Sequence, residues 1–352
     1  MNEWSVKLIA WYSVHKRDLP WRHTKDPYVI WLSEVILQQT RVQQGLPYFE
    51  KFVSQFPTVK DLAKAPLQEV MQCWQGLGYY SRARNLHDAA MQVVEQFGGV
   101  FPASYEDIKR LKGVGPYTAA AIASFAFDLP YAVVDGNVYR VLSRHFGMRL
   151  PIDHVPSQKT YAELAQKLLP IDHAADFNQA IMEFGAVHCV PANPDCVNCI
   201  FSSSCVAFER GEVGLLPLKA GKVKVRERIF NYILLQKDGG VYMKERTEKD
   251  IWQHLWDFEL VESDHFASEA EIVAHIQQKF SFSSADFLVQ LHSQEFKHIL
   301  THQRIKARFW QVQIFSNLHD EVLKFVAIKA LGNKPLPRLI EKFLNTHRQW
   351  LD

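Results

Sequence analysis

The sequence predicts two folded domains of different class: a mainly α-helical domain over residues 1–210 and an α+β domain over 226–352. The chain has 352 residues, more than one compact domain usually holds. Apolar residues recur at helical spacing in the first part and alternate with polar residues, as in strands, beyond residue 225. Residues 211–225 between them contain three glycines and a proline, which is typical of a linker.

The helical spacing predicts nine helices in the first domain, at 3–14, 28–39, 42–55, 67–73, 81–97, 105–111, 118–126, 138–146 and 159–169. Short breaks rich in Gly, Pro and Asp separate these helices. In the second domain, a strand at 226–236, a tight turn and a strand at 241–246 come first. We expect further strands at 257–262, 287–294 and 303–314, and helices at 268–280 and 337–347. The segment 296–302, between the last two strands, is predicted to be a loop tip.

Composition gives little support to any class of partner. The net charge is only +2, so a nucleic-acid contact would have to use local positive charge or backbone amides. The N-terminus has an early acid and a lysine at position 7, so we expect no signal peptide, and no apolar stretch reaches the ~18 residues that a membrane span needs. We therefore expect a cytoplasmic protein.

Four of the five cysteines lie close together, at Cys189, Cys196, Cys199 and Cys205. In a reducing compartment such a group indicates a metal site. Structural zinc usually takes two close pairs of cysteines with a longer spacer between them. Here one close pair is flanked by wider gaps, which favours a [4Fe–4S] cluster in a loop over 189–205. A single zinc ion and disulfides remain the alternatives.

The segment 111–120 predicts a helical hairpin. Its two glycines, Gly113 and Gly115, lie where one helix ends and another begins with a proline. Backbone amides at such a turn, together with the N-terminus of the new helix, bind a phosphate without a net positive charge. An ordinary turn between helices is the competing interpretation.

Two carboxylates are candidates for acid–base chemistry. Glu34 has apolar residues at its neighbouring helical positions, which would raise its pKa and keep it protonated near neutral pH. Asp135 comes where a helix should start, twenty residues after Gly115. Each residue taken alone has a simpler interpretation: Glu34 as a surface residue of an amphipathic helix, and Asp135 as the N-cap of its helix.

Together with the segments 19–22, 32–40 and 76–86, these motifs resemble the helix-hairpin-helix glycosylase superfamily, in its endonuclease III-like branch, and within it the MutY family of adenine DNA glycosylases. The resemblance covers the whole first domain, and the second domain is similar to the family's NUDIX-like recognition domain. The resemblance implies a [4Fe–4S] cofactor and a monomeric, monofunctional repair enzyme. The implied reaction removes adenine paired with 8-oxoguanine or guanine in nucleoid DNA.

The resemblance also implies roles for individual residues. Glu34 corresponds to the general acid and Asp135 to the carboxylate that stabilises the oxocarbenium ion, while Tyr117 stands where endonuclease III has its nucleophilic lysine. The implied adenine pocket contains Trp21, Arg22, Asn137 and Gln179. The implied wedge beside 8-oxoguanine contains Gln39, Thr40, Leu77 and Tyr79. The recognition loop corresponds to Leu300, Thr301 and His302, with Leu300 in place of the family's aromatic residue.

Three alternatives compete with this assignment. A bifunctional endonuclease III-like enzyme is disfavoured by Tyr117, and a non-catalytic DNA-binding module is disfavoured by the presence of both Glu34 and Asp135. A nucleotide pyrophosphohydrolase needs a helix rich in glutamates to bind metal ions, and the second domain lacks that pattern. We therefore expect the second domain only to bind.

Overall fold

The computed structural model describes residues 2–221 and 225–347. They belong to two compact units. The first unit comprises Met1–Lys64 and Asn85–Lys222, and the second comprises Ala65–Arg84 and Val223–Asp352. Residues 222–224 of the predicted linker and the last five residues of the predicted second domain lie outside the described residues.

The chain up to residue 209 is helical, as predicted. Its helices are α1 (Glu3–His15), α2 (Pro27–Leu37), α3 (Val42–Gln55), α4 (Val59–Lys64), α5 (Leu67–Trp74), α6 (Ser81–Phe97), α7 (Tyr105–Arg110), α8 (Pro116–Phe127), α9 (Gly136–Phe146), α10 (Val155–Leu168), α11 (Ala174–Val187) and α12 (Val206–Glu209). Short 3-10 turns lie at Pro20–Arg22, Ile171–His173 and Ser202–Ser204. No helix among the described residues is long and apolar enough to cross a membrane.

Three of these helices are largely buried in the first unit and position the candidate site residues Glu34, Tyr117 and Asp135. Helix α2 begins at Pro27 after a capping Asp26 and is buried along most of its length, which brings Glu34 into the interior. Helix α8 begins at Pro116, directly after the predicted hairpin turn. Helix α9 begins where Asp135 caps it. The two carboxyl groups are thus fixed by helices rather than by loops.

The second unit contains an eight-stranded sheet. Its elements in chain order are β1 (Arg226–Lys237), β2 (Gly240–Glu245), β3 (Trp256–Asp257), β4 (Glu259–Ser263), α13 (Glu269–Phe280), β5 (Phe287–His292), β6 (Phe296–Ile299), β7 (Gln303–Ile314), β8 (Lys324–Ala327), a 3-10 turn (Ile328–Asn333) and α14 (Arg338–Thr346). The order β3-β2-β1-β7-β5 forms the main path, and β1 and β7 are parallel neighbours. Ile272 and Ile276 of α13 pack into the core that β1, β5 and β7 form.

The segment 65–84, which contains α5, packs with the C-terminal residues as part of the second unit. Gln72 Nε2 donates to the Gly332 carbonyl at 3.2 Å, and the Trp256 indole N–H donates to Gln68 Oε1 at 3.2 Å. Arg84 Nη1 donates to the carbonyl of Gln253 at 3.0 Å. The second unit is therefore built from two stretches that are far apart in the sequence.

The prediction of a loop over 296–302 was wrong for its first four residues, which form β6 and pair with β7. The tip is the tight turn after β6, where the Leu300 N–H donates to the Gln303 carbonyl at 2.8 Å. Helices α4, α11 and α12 and strands β3 and β8 were not predicted as separate elements. Of these, α11 matters most, because it forms one wall of the site described below.

Candidate active site

A cavity of about 900 Å³ opens within the first unit, between α2, α8, α9, α11 and the turn at Pro20–Arg22. It brings together residues from Arg17 to Ala186, which are 169 positions apart in the sequence. The predicted site residues that line it are Trp21, Arg22, Glu34, Gln39, Thr40, Tyr117, Asp135, Asn137 and Gln179.

Glu34 is buried in this cavity wall, with 8% of its surface exposed. The Tyr117 hydroxyl donates a hydrogen bond to Glu34 Oε2 at 2.6 Å. Burial raises the pKa of Glu34 to about 7, and the charge of Asp135 acts in the same direction. The hydrogen bond from Tyr117 and the charge of Arg22 oppose this rise. At neutral pH the carboxyl group is therefore poised to hold a proton or to release it.

Asp135 faces three N–H donors. Its Oδ1 accepts from the backbone N–H groups of Asn137 and Val138 at 2.9 and 2.8 Å, and its Oδ2 accepts from Asn137 Nδ2 at 2.8 Å. Burial raises its pKa, whereas these hydrogen bonds and the charge of Arg140 lower it. Hydrogen bonds of this kind stabilise the ionised carboxylate. Asp135 is thus both an N-cap and a carboxylate held in one orientation at the cavity.

A second polar wall was predicted only in part, since Arg22 and Gln179 were expected in the pocket but Glu183 and its partner Arg17 were not. Glu183 on α11 is fully buried and accepts hydrogen bonds from Arg17 Nη2 and Arg22 Nη2, each at 2.7 Å. Burial would raise the pKa of Glu183, but the hydrogen bonds from Arg17 and Arg22 outweigh it and lower the pKa to about 2. The same helix carries Gln179, whose Oε1 accepts from the Tyr12 hydroxyl at 2.5 Å. No local sequence signal marks this wall, because Gln179 and Glu183 lie more than 150 positions from the side chains that they bond.

The hairpin predicted at 111–120 has the expected local structure. Gly113 has a φ of +72°, and a Cβ atom there would lie 2.6 Å from Cβ of Asn85, so only glycine fits. Gly115 is the N-cap of α8, so the N-terminus of that helix directly follows the turn. The loop and the helix end present the backbone N–H groups that a phosphate would need.

Two predicted wedge residues have unusual backbone conformations. Gln39, just after α2, has a φ of +54°, and Tyr79, between α5 and α6, has a φ of +48°. Such values are uncommon for residues other than glycine and mark strain. Thr40 follows Gln39 at the cavity edge. Leu77, by contrast, is buried, with 5% exposed.

Within the second unit, Tyr79 contacts the predicted recognition loop. Its hydroxyl lies 2.9 Å from Thr301 Oγ1, and either group can be the donor. Tyr79 is 41% exposed, and Thr301 and His302 are also exposed, while Leu300 is half-buried. The wedge segment and the recognition loop thus meet in one unit, a contact that the sequence did not predict.

The four clustered cysteines line one small cavity of the first unit, together with Arg144, Phe184 and other residues. Arg144 Nη1 donates to Cys189 Sγ at 3.5 Å, and the Phe201 N–H donates to Cys199 Sγ at 3.4 Å. Over residues 2–221 and 225–347, no three His, Cys, Asp or Glu side chains converge as the ligands of one metal ion would.

Comparison with known proteins gives two family matches. Residues 32–170 match the HhH-GPD superfamily of base excision DNA repair proteins, and residues 231–346 match the NUDIX domain. The chain is 30% identical to the adenine DNA glycosylase of Buchnera aphidicola subsp. Acyrthosiphon pisum (strain APS), over 98% of this chain and 97% of that one. It is 46% identical to the adenine DNA glycosylase of Homo sapiens, over 58% of this chain and 39% of that one.

Among solved structures, a thermostable thymine-DNA glycosylase is similar to this chain, with 34% identity and a TM-score of 0.55. The match covers 59% of this chain and 95% of that protein. A trapped endonuclease III–DNA covalent intermediate has 22% identity and a TM-score of 0.51, covering 59% of this chain and 94% of that one, and shares the fold. The predicted combination of a helix-hairpin-helix domain with a NUDIX-like domain is confirmed.

Proposed function

The chain belongs to the adenine DNA glycosylase family, within the HhH-GPD superfamily of base excision repair proteins, and from this premise we propose that it removes adenine paired with 8-oxoguanine or guanine in duplex DNA. The observation that carries the proposal is the arrangement of a buried, protonatable Glu34 and a hydrogen-bonded Asp135 at one cavity. Cleavage of an N-glycosidic bond needs a proton on the leaving base and a carboxylate near the sugar. The two acids match these two needs.

Glu34 supplies the proton in the proposed mechanism. Because the Tyr117 hydroxyl occupies Oε2, Oε1 is the oxygen that carries the proton towards N7 of adenine. The bond between C1′ and N9 then breaks, and its electron pair leaves with the protonated base. The ionised Glu34 next accepts a proton from the water that adds to C1′. A general acid and base of this kind contributes ~10²–10⁴-fold to the rate.

Asp135 stabilises the positive sugar that forms between these two steps. Its carboxylate is oriented by Asn137 and by the start of α9, so it does not have to reorganise during the reaction. The test is single-turnover release of adenine from duplexes that contain adenine opposite 8-oxoguanine, guanine or cytosine. Glu34→Gln and Asp135→Asn should each lose adenine release while duplex binding stays close to that of the wild type. Wild-type rates in Glu34→Gln would refute the assignment.

The base must leave the helix before it reaches the cavity. We propose that Gln39 and Tyr79 fill the gap, since both residues are exposed and both have a strained backbone conformation. Trp21, Arg22, Asn137 and Gln179 then contact the flipped base. Gly113 and Gly115 bind the backbone phosphate of the same strand. Leu77 is assigned to packing beneath the wedge, because little of its side chain is exposed.

We propose that the enzyme is monofunctional and leaves the sugar–phosphate backbone uncut. A lyase needs an amine that forms a Schiff base with the sugar. Among the described residues that line the cavity there is no lysine, and the Tyr117 phenol is bound to Glu34. Borohydride should therefore trap little covalent adduct with damaged DNA, and abundant adduct would overturn this part of the proposal.

The recognition loop at the tip after β6 is the proposed reader of 8-oxoguanine. This lesion has a hydrogen on N7 that guanine lacks, so a hydroxyl that accepts from N7–H distinguishes the two. Thr301 has this capacity and lies beside Tyr79, while His302 and Leu300 complete the tip. The double variant Thr301→Ala, His302→Ala should lose preference for 8-oxoguanine over guanine by a few kcal/mol at most, since one or two hydrogen bonds are removed. An unchanged preference would assign lesion reading to other residues.

The second unit is proposed only to bind. Glu259 is 1% exposed and accepts from Lys244, His275 and Lys279 at 2.9, 3.0 and 2.5 Å. His275 and Lys279 lie on α13, so the buried Glu259 beside that helix is already held by these side chains and is not available to bind a metal ion. This supports the absence of pyrophosphohydrolase activity, which hydrolysis assays with nucleoside triphosphates and Mg²⁺ would test.

The thiolates of Cys189, Cys196, Cys199 and Cys205 are the proposed ligands of a [4Fe–4S] cluster. The donor set fits, because the four cysteines line one cavity and four thiolates are the ligands that a [4Fe–4S] cluster takes. When bound, the cluster would hold the loop over 189–205 in a fixed fold. We further propose that the protein acts as a monomer on nucleoid DNA.

A further inference from the structure

Tyr12 on α1 is a buried residue that no predicted motif contained. It is 5% exposed and is not among the residues that line the active-site cavity, but it contacts two of them. Its hydroxyl donates to Gln179 Oε1 at 2.5 Å. The guanidinium of Arg22 lies over its ring, 5.5 Å from the ring centre. Tyr12 therefore contacts two residues of the polar wall without lining the cavity itself.

The direction of the hydrogen bond is fixed. Burial raises the pKa of Tyr12 to about 12, so the hydroxyl keeps its proton and needs an acceptor. Among the described residues, Gln179 Oε1 is the hydrogen-bond partner of this hydroxyl. If the amide of Gln179 flipped, its NH₂ group would face the hydroxyl and the buried proton would lose its acceptor. An unsatisfied buried donor costs roughly 1–3 kcal/mol, so one orientation of the amide dominates.

A fixed amide presents a fixed pattern of donors and acceptors. Gln179 offers its Nε2 donors and the second lone pair of Oε1 to the cavity. Adenine carries an acceptor at N1 beside donors at N6, and a flipped base is read along this edge. The two patterns are complementary. Guanine and hypoxanthine carry a donor at N1 and an acceptor at O6, which is the reverse pattern. The same amide would place donor against donor and acceptor against acceptor, so it disfavours these bases.

We propose that Tyr12 is a positioning residue that sets the preference for adenine over 6-oxopurines by fixing the polarity of the Gln179 amide. This inference rests on the proposed function, because it concerns the base that enters the same cavity. Tyr12 itself touches no substrate. Its hydroxyl acts through Gln179, and its ring acts separately, by supporting Arg22, which Glu183 also holds.

Two variants separate the hydroxyl from the ring. Tyr12→Phe removes the hydroxyl and keeps the ring beneath Arg22, whereas Tyr12→Leu removes both. The matched control is Tyr161→Phe, since Tyr161 is also buried in the first unit and its hydroxyl bonds Ser143 at 2.6 Å, away from the residues that line the cavity. All variants are compared as full-length chains.

The assay measures single-turnover release of adenine and of hypoxanthine, each placed opposite 8-oxoguanine. For Tyr12→Phe, adenine release should fall about 2- to 12-fold, the range that one neutral hydrogen bond accounts for. The ratio of adenine to hypoxanthine release should fall by roughly tenfold, because the freed amide flips to suit either base. Tyr161→Phe should keep the wild-type ratio.

A second comparison excludes a purely structural effect. In a Gln179→Ala background, Tyr12→Phe should no longer change the ratio, because the group it acts through is gone. A wild-type ratio in Tyr12→Phe, an equal change in Tyr161→Phe, or additive effects in the double variant would overturn the proposal. A wild-type enzyme that releases no adenine would instead refute the proposed function along with it.

Discussion

Replacing Glu34 with Gln is expected to stabilise the protein at alkaline pH while it abolishes catalysis. Burial raises the pKa of Glu34 from 4.5 to about 7. Below pH 4.5 the group is protonated in both the folded and the unfolded chain, and it has no effect on their balance. Between pH 4.5 and 7 only the unfolded chain ionises freely, so the folded state loses stability as the pH rises. At 1.36 kcal/mol for each pH unit, the loss reaches about 3 kcal/mol.

Glutamine does not ionise, yet its amide oxygen still accepts from Tyr117. The free energy of unfolding of Glu34→Gln minus that of the wild type should therefore grow by about 3 kcal/mol between pH 4.5 and 8. For a unit of this size, that corresponds to a Tm difference of about 6–12 °C. Calorimetric unfolding at pH 5, 6, 7 and 8 measures it, with Glu163→Gln on the exposed face of α10 as the control. A difference that does not change with pH would refute the burial argument.

Other changes give equally direct tests. Tyr117→Phe removes the hydrogen bond that lowers the pKa of Glu34, so the alkaline limb of the single-turnover rate should move to higher pH; a move to lower pH contradicts this. Gln39→Gly should keep the free energy of unfolding within about 1 kcal/mol of the wild type but slow excision, and unchanged excision would exclude Gln39 as a wedge. Gly113→Ala should destabilise by more than about 1 kcal/mol, since its φ is +72° and its Cβ has no space; a variant as stable as the wild type would argue against this. Cys199→Ser should contain fewer than the about four irons per chain expected of the wild type, and a wild-type protein with one zinc and no iron would rule out the cluster.

The helices that carry the two acids could be predicted because their signals are local. Asp135 precedes an amphipathic helix and caps it, and Glu34 lies within a regular apolar period. Helix α11 was missed for the opposite reason. Ala174, Phe177 and Ile181 are buried along with most of their neighbours, so the helix has no continuous polar face and its period is hard to recognise.

The second polar wall and the contact between wedge and recognition loop depend on long-range packing. Glu183 meets Arg17 across 166 positions, and Tyr79 meets Thr301 across 222. A glutamate in an apolar helix gives no sign of which cation neutralises it. Sequence reasoning therefore predicted which residue types the chemistry needs, but it did not predict which other residues hold them in place.

The discontinuity of the second unit has a consequence for the order in which the protein folds during synthesis. The stretch Ala65–Arg84 leaves the ribosome well before its packing partners beyond residue 225. At about 5–20 residues per second, the intervening chain takes roughly 7–30 s to translate. During that time Trp256 and Gly332, which bond the side chains of α5 in the finished protein, do not yet exist. The segment that carries Tyr79 thus reaches its final packing only when the chain is nearly complete, and a prematurely terminated product has its acids in place but an unsupported wedge.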